Sequence, residues 1–226
     1  MPREMSSALL PADGVVRRLL REVADFAFAS VCAGCGAAGT ALCGSCAVGL
    51  APSVVRPRSE VVALRAGLVF DSAAAAVLRA VKEDGQTSLI RSLRPALDAA
   101  VDDLCGGPSP PHRIDVVVPV PTTRAAFRRR GFRLPELLAR GTGIPILRAL
   151  SYTRRVRDQR GLGVQERRSN LAGGLVATRA GGGRAALIVD DVITTGATCE
   201  EAARALRSAG FLVVGAVAVA ATRRRG

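Results

Sequence analysis

Tryptophan is absent from this 226-residue chain, and aromatic residues of all kinds make up 3% of it. The core must therefore be aliphatic, drawn from Val, Leu, Ile and Ala within a hydrophobic content of 49%. The same scarcity leaves few flat platforms on which nucleobases could stack. Histidine occurs once, as His112, in a loop with no visible partner, which fits a surface residue better than a general base. No stretch combines the length and apolarity of a membrane helix, and no charged N-terminal region leads into an apolar segment and a cleavage site. The expectation is a cytoplasmic protein without membrane insertion.

What is abundant is positive charge. Lys plus Arg number 32 against 19 acidic residues, a net charge of +13 and a pI near 11.2, and nearly all of the cations are arginine. Such a balance favours polyanionic partners, pyrophosphates or nucleic acid. Compositional drift also inflates Arg and Ala together, so the placement of charge matters more than its sum.

Four of the six cysteines form two short-spaced pairs, Cys32-Ala33-Gly34-Cys35 and Cys43-Gly44-Ser45-Cys46. Two thiolate-bearing turns so close together can close on one tetrahedral ion, and Zn²⁺ is the natural choice. Four thiolates leave no open coordination position, so the site would be structural, holding a segment too small to bury its own core. A redox C-x-x-C is the competing reading, but it usually comes singly. Cys105 and Cys199 remain without an assigned role.

Along the chain, Val15, Val16, Leu19, Leu20, Val23, Phe26 and Ala27 recur at helical spacing and predict an amphipathic packing helix within residues 1–30. The cysteine module follows over 31–50, and the Pro-containing stretch 51–66 reads as a linker. From residue 67 onward apolar runs and helical patterns alternate: a strand near Gly67–Phe70, helices over Ser72–Glu83 and from Ile90, a buried strand at Asp115–Pro121. Lys82-Glu83-Asp84-Gly85 has the basic residue and glycine of a helix C-terminus. After the strand ending at Pro121, Arg124, Arg128, Arg129 and Arg130 form a basic loop. These arginines lack interleaved acids and would repel one another unless they share an anion. A short helix at Leu134–Leu138 and extended pieces over Ile144–Tyr152 follow. The charged, glycine-containing segment around Arg157, Asp158, Gln159, Arg167 and Asn170 is too polar for core and reads as a mobile lid. Strands at Leu175–Thr178, Ala185–Asp190 and Leu212–Val219, with a helix over Thr198–Ala209, complete an α/β pattern of open, mostly parallel sheet flanked by helices.

The most informative stretch is Ala186 to Thr198. Leu187, Ile188 and Val189 are a strand buried on both faces, Asp190 and Asp191 follow, and Thr194, Thr195, Gly196, Ala197 and Thr198 form a small polar loop before a helix. Hydroxyls, unobstructed N–H groups and a helix N-terminus suit a phosphate. Two carboxylates beside it suit the hydroxyls of a ribose. Thr198-Cys199-Glu200-Glu201 has the spacing of a capping box opening that helix.

This stretch resembles the phosphoribosyl pyrophosphate signature of type I phosphoribosyltransferases: apolar strand, two acids, then Thr-Thr-Gly-x-Thr. A second resemblance rests on Val118-Pro119-Val120-Pro121, the basic run, Arg130-Gly131-Phe132, the Lys82 to Gly85 turn and the paired cysteines. Together these are similar to the ComF (competence protein F, GntX) family, in which a zinc-binding N-terminal segment precedes a phosphoribosyltransferase-type domain. After Phe132 the chain departs from the family pattern, with Arg133-Leu134-Pro135 in place of an Asn-Gln-type continuation.

The resemblance implies a phosphoribosyltransferase-like domain over 67–226 that binds phosphoribosyl pyrophosphate with Mg²⁺. Asp190 and Asp191 would hold the ribose hydroxyls, residues 194–198 the 5′-phosphate, the four arginines the pyrophosphate, and the lid would cover the site. It also implies a link to DNA uptake or nucleotide metabolism. The alternatives are a non-catalytic factor handling single-stranded DNA with competence machinery, or a sensor of phosphoribosyl pyrophosphate. Neither an acceptor nor an oligomeric state is legible.

Overall fold

The computed structural model describes residues 31–106, 113–153 and 173–223. The expected N-terminal helix, His112 and the lid residues Arg157, Asp158, Gln159, Arg167 and Asn170 lie outside the described residues. In chain order the strands are β1 (Leu64–Val69), β2 (Val116–Pro119), β3 (Leu150–Tyr152), β4 (Leu175–Ala177), β5 (Ala185–Ile193) and β6 (Leu212–Ala221). The helices are α1 (Gly44–Val48), α2 (Ser72–Glu83), α3 (Ile90–Cys105), α4 (Arg124–Arg130), α5 (Leu134–Ala139) and α6 (Ala197–Ser208).

Four strands make one sheet in the order β1-β6-β5-β2, every neighbouring pair parallel. Strands β3 and β4 form a separate antiparallel pair, so the fold is α/β with a mostly parallel main sheet. The central strands read as continuous apolar runs because both of their faces are covered. On β5, Leu187 and Val189 join α2, α3 and α5 in one apolar layer, whereas Ala186 and Ile188 join α6 in the other. The period of two along a strand produces this alternation. Each large side chain so buried contributes about 1.5–3 kcal/mol.

Helix α3 lies directly on the backbone of the sheet. A Cβ on Gly67 of β1 would fall 1.7 Å from the Ala96 carbonyl oxygen, and one on Gly215 of β6 would fall 2.7 Å from Leu104. Glycine is required at Gly67 by close approach of backbone, not by backbone conformation, whereas at Gly215 the Leu104 side chain would have to shift. Helix α2 crosses the carboxyl edge of the sheet. Its entry is fixed by the Phe70 N–H donating to Ala221 O at the end of β6, and its last turn reaches β5.

The expected linker needs correction at its end. Strand β1 begins at Leu64, and Val55 bridges antiparallel to Ala66, so residues 64–66 belong to the sheet. Arg65 disguises the alternation of Leu64 and Ala66, because its guanidinium is held by Asp103 of α3 at 2.5 Å. Among the described residues no helix is long and apolar enough to cross a membrane.

Candidate functional site

Strand β5 carries Asp190 and Asp191 to the carboxyl edge of the parallel sheet, where open α/β folds place their ligands. The acids sit within the strand, which continues to Ile193. Successive residues point to opposite faces, so Asp190 follows Ile188 toward α6 and Asp191 follows Val189 toward α2. The Lys82 ammonium, from the last turn of α2, lies 2.8 Å from Asp191 Oδ1. Asp190 Oδ1 accepts the Asp191 N–H at 2.8 Å.

Burial, and then the neighbouring Asp191, push the Asp190 carboxyl up to about 7, while the Asp191 N–H and Lys82 pull the other way. The Asp190 carboxyl is therefore close to half protonated near neutrality. Tyr152, at the end of β3, is the only tyrosine of the chain, and its phenol is pushed up to about 12 by burial and by both acids. Burial likewise raises the Cys199 thiol well above its ordinary value, so both groups stay neutral.

Beyond Ile193 the chain turns through Thr194, Thr195 and Gly196 into α6. Gly196 is buried with φ of 83°, a left-handed conformation that favours glycine, and a Cβ there would also lie 2.8 Å from Leu64 Cδ1. The Thr222 hydroxyl donates to Thr194 O at 3.0 Å, and Thr195 Oγ1 accepts the Ala197 N–H at 3.3 Å. The loop is thus anchored from β6 and closed at its own helix start.

The expected capping box is not formed. Helix α6 starts at Ala197 with Gly196 as its N-cap and no side-chain cap. Because a left-handed glycine starts the helix before Thr198, Glu201 faces β4 instead. It accepts the Leu175 N–H at 3.1 Å and pairs with Arg204 at 2.7 Å, and Arg204 donates to Leu175 O at 2.9 Å.

The basic segment is also corrected: Arg124–Arg130 is a helix, not a loop. Thr123 Oγ1 caps it by accepting the Ala126 N–H at 3.2 Å, and Gly131, at φ of 77°, ends it. Three arginines in the last turn interact favourably with the helix dipole, which offsets part of their mutual repulsion. Val120 N–H donates to Val189 O at 2.9 Å, so the segment leading into α4 runs beside the strand that bears the acids. Arg124, Arg128 and Arg129 are exposed, while Arg130 has a buried Nε with no hydrogen-bond partner.

In the cysteine module the four Sγ atoms of Cys32, Cys35, Cys43 and Cys46 lie within 4.8 Å of one another, an arrangement that could hold a metal ion such as zinc. A Cβ on Gly34 would fall 2.6 Å from Cys46 Sγ, so the turn is open where the sulfur needs space. The Cys43 N–H donates to Cys32 Sγ at 3.3 Å, and such backbone bonds, led by that of Cys43, lower the Cys32 thiol to about 6. Cys46 is pushed up to about 12, first by Cys43 and then by Cys32. Sulfurs that resist sharing negative charge at this spacing are a donor set that a dication satisfies.

The sequence places Lys82 at a helix end and in the turn shared with the ComF family, but not at the acid pair, and it assigns Tyr152 no role. Composition held a signal for each. Lys82 is the only lysine among 32 cationic residues, and Tyr152 the only tyrosine.

Comparison with curated proteins finds no match. Among solved structures the chain is similar to an adenine phosphoribosyltransferase at 17% identity, covering 74% of this chain and 84% of that one with a TM-score of 0.37. It is also similar to the adenine phosphoribosyltransferase of Leishmania tarentolae, at 14% identity, covering 62% of this chain and 60% of that one with a TM-score of 0.34. Residues 113–226, half of the chain, match the model of the phosphoribosyl transferase domain, which spans the arginine helix, the acid pair and the glycine-hinged loop. The chain belongs to the phosphoribosyl transferase domain family.

Proposed function

We propose that the carboxyl edge of the sheet binds phosphoribosyl pyrophosphate and presents its anomeric carbon to an acceptor. The observation that carries this reading is the continuity of β5, the acid pair, the Gly196 turn and α6, which puts hydrogen-bond acceptors and N–H donors in adjacent positions. Asp190 and Asp191 accept from the ribose hydroxyls. The N–H groups and hydroxyls of Thr194, Thr195, Gly196, Ala197 and Thr198 receive the 5′-phosphate. Arg124, Arg128, Arg129 and Arg130 neutralise the pyrophosphate, and the unpartnered Arg130 Nε supports that role.

Transfer then needs positioning and charge stabilisation more than acid or base chemistry. The bond from the anomeric carbon to the pyrophosphate oxygen breaks, its electron pair leaves with pyrophosphate, and the acceptor's lone pair forms the new bond. Mg²⁺, held mostly by the ligand's own oxygens, would supply further neutralisation of the pyrophosphate. The neutral Tyr152 phenol and Cys199 thiol add no negative charge beside the sugar. The cysteine module over 31–50 serves as a zinc-stapled appendage to the domain that starts with β1.

Calorimetry tests the assignment. Asp190→Ala combined with Asp191→Ala is expected to abolish binding of phosphoribosyl pyrophosphate in the presence of Mg²⁺, and unchanged affinity would sink it.

The net charge of +13 favours a second reading, in which the protein also engages single-stranded DNA, while a competence-type function rests on the ComF resemblance alone.

A further inference from the structure

The domain model matches residues 113–226, yet the cation in contact with the acid pair comes from residue 82. Lys82 Nζ reaches Asp191 across 109 positions of sequence because α2 crosses the carboxyl edge from the end of β1 toward β5. The contact is half-buried, with the Lys82 side chain 25% and the Asp191 side chain 15% exposed. Screening by water is correspondingly reduced. Every other cationic side chain of the protein is arginine. Composition alone would place an arginine here as everywhere else. An ammonium, however, is a compact point charge, whereas a guanidinium is a broad planar fork.

We propose that Lys82 is a working part of the ribose end of the site, a positioning residue that holds Asp191 oriented to accept from the ligand's diol. The proposal rests on the phosphoribosyl reading and adds to it a residue from outside the matched domain. Its physical basis is the crowding of negative charge. Asp190 and Asp191 are adjacent on β5, with Tyr152 approaching from β3 and Cys199, beside Glu200, from α6. Among the described residues Lys82 is the cation that acts on this group, and it counters the effects of burial and of Asp191 on Asp190. Without it the Asp190 carboxyl would bind a proton more tightly and lose acceptor capacity. A purely structural ion pair would carry no such consequence for ligand binding.

The test uses ribose 5-phosphate with Mg²⁺ as the probe, because this ligand has the diol and the 5′-phosphate but no pyrophosphate. It is titrated by calorimetry into the full chain and into Lys82→Met, Lys82→Gln and Lys82→Arg between about pH 6 and pH 9, a window spanning the raised carboxyl and its further rise. In the wild-type chain binding strengthens as Asp190 loses its proton. In Lys82→Met and Lys82→Gln the midpoint of that pH dependence is expected to move up by about one unit, so that affinity at neutral pH falls about fivefold and recovers at high pH. Lys82→Arg keeps the charge and so the wild-type midpoint, but its broad fork orients Asp191 less well and binds the probe more weakly than wild type at high pH. Two neutral variants guard against one that does not fold. An unmoved midpoint in the neutral variants, or a loss of affinity equal at every pH, overturns the proposal. Should wild-type protein bind neither ribose 5-phosphate nor phosphoribosyl pyrophosphate, the phosphoribosyl reading falls as well, whereas binding with an unmoved midpoint removes only the role of Lys82.

Discussion

Replacing Glu201 with Ala removes the centre of a clamp between α6 and β4, and its cost follows from what is left behind. The Glu201 side chain is 7% exposed and accepts both the Leu175 N–H and two guanidinium N–H groups of Arg204. After truncation the Leu175 N–H, on a residue with no exposure, has lost its acceptor, which costs about 1–3 kcal/mol. The Arg204 side chain is 48% exposed, so its lost pairing is screened and adds only about 1 kcal/mol. Glu201→Ala is therefore expected to destabilise by about 3 kcal/mol in urea unfolding at neutral pH. Glu201→Gln retains an amide oxygen for the Leu175 N–H and loses mainly the charge, so it should cost about 1 kcal/mol. The pH dependence has a definite sign. Burial pushes the Glu201 carboxyl up, but the Arg204 and Leu175 hydrogen bonds outweigh it and the net shift is downward. A carboxyl lowered in the folded state contributes stability above its unfolded pKa of about 4.3 and loses it as pH falls through the folded value. The gap between wild type and Glu201→Gln should accordingly narrow below about pH 4. Equal costs for Ala and Gln, or a gap that does not change with pH, would refute the assignment of Glu201 to the clamp.

Metal analysis of the purified chain should find about one zinc per molecule, in keeping with a four-thiolate site. Cys46→Ser should lose it and melt lower, since Leu50 lies in the core and Ala33 and Leu42 pack against it. A zinc-free protein whose melting is unchanged by Cys46→Ser would refute a metal role for the cluster. For nucleic acid, the net charge of +13 predicts single-stranded DNA binding that weakens steeply with salt. Binding that is absent, or insensitive to salt, leaves the small-molecule site as the only function of the basic surface.

What was legible in the sequence follows physical locality. Leu187 to Val189 announced a strand covered on both faces, and the structure buries all three completely. The Ser72–Glu83 helix appears with the expected bounds, because Asp71 accepts the Ala74 N–H at its start and Asp84-Gly85 ends it. Each of these rests on neighbours within a few residues. The errors arose where a local pattern competed with a distant partner. Thr198 and Glu201 have capping-box spacing, but Gly196 in a left-handed conformation lets α6 begin earlier, and Glu201 then meets Leu175, 26 residues away. Arg65 made the start of β1 look like polar linker because its partner, Asp103, lies 38 residues on. Lys82 is the strongest case: within its own turn it is an ordinary basic residue near a helix C-terminus, and only the crossing of α2 over the sheet brings it to Asp191. A residue type that occurs once in a chain carries no periodicity and so escapes pattern reading, but its rarity is itself informative. In a protein that uses arginine for every other positive charge, the position that uses lysine is one where the size and reach of the cation matter, and that position touches the acid pair.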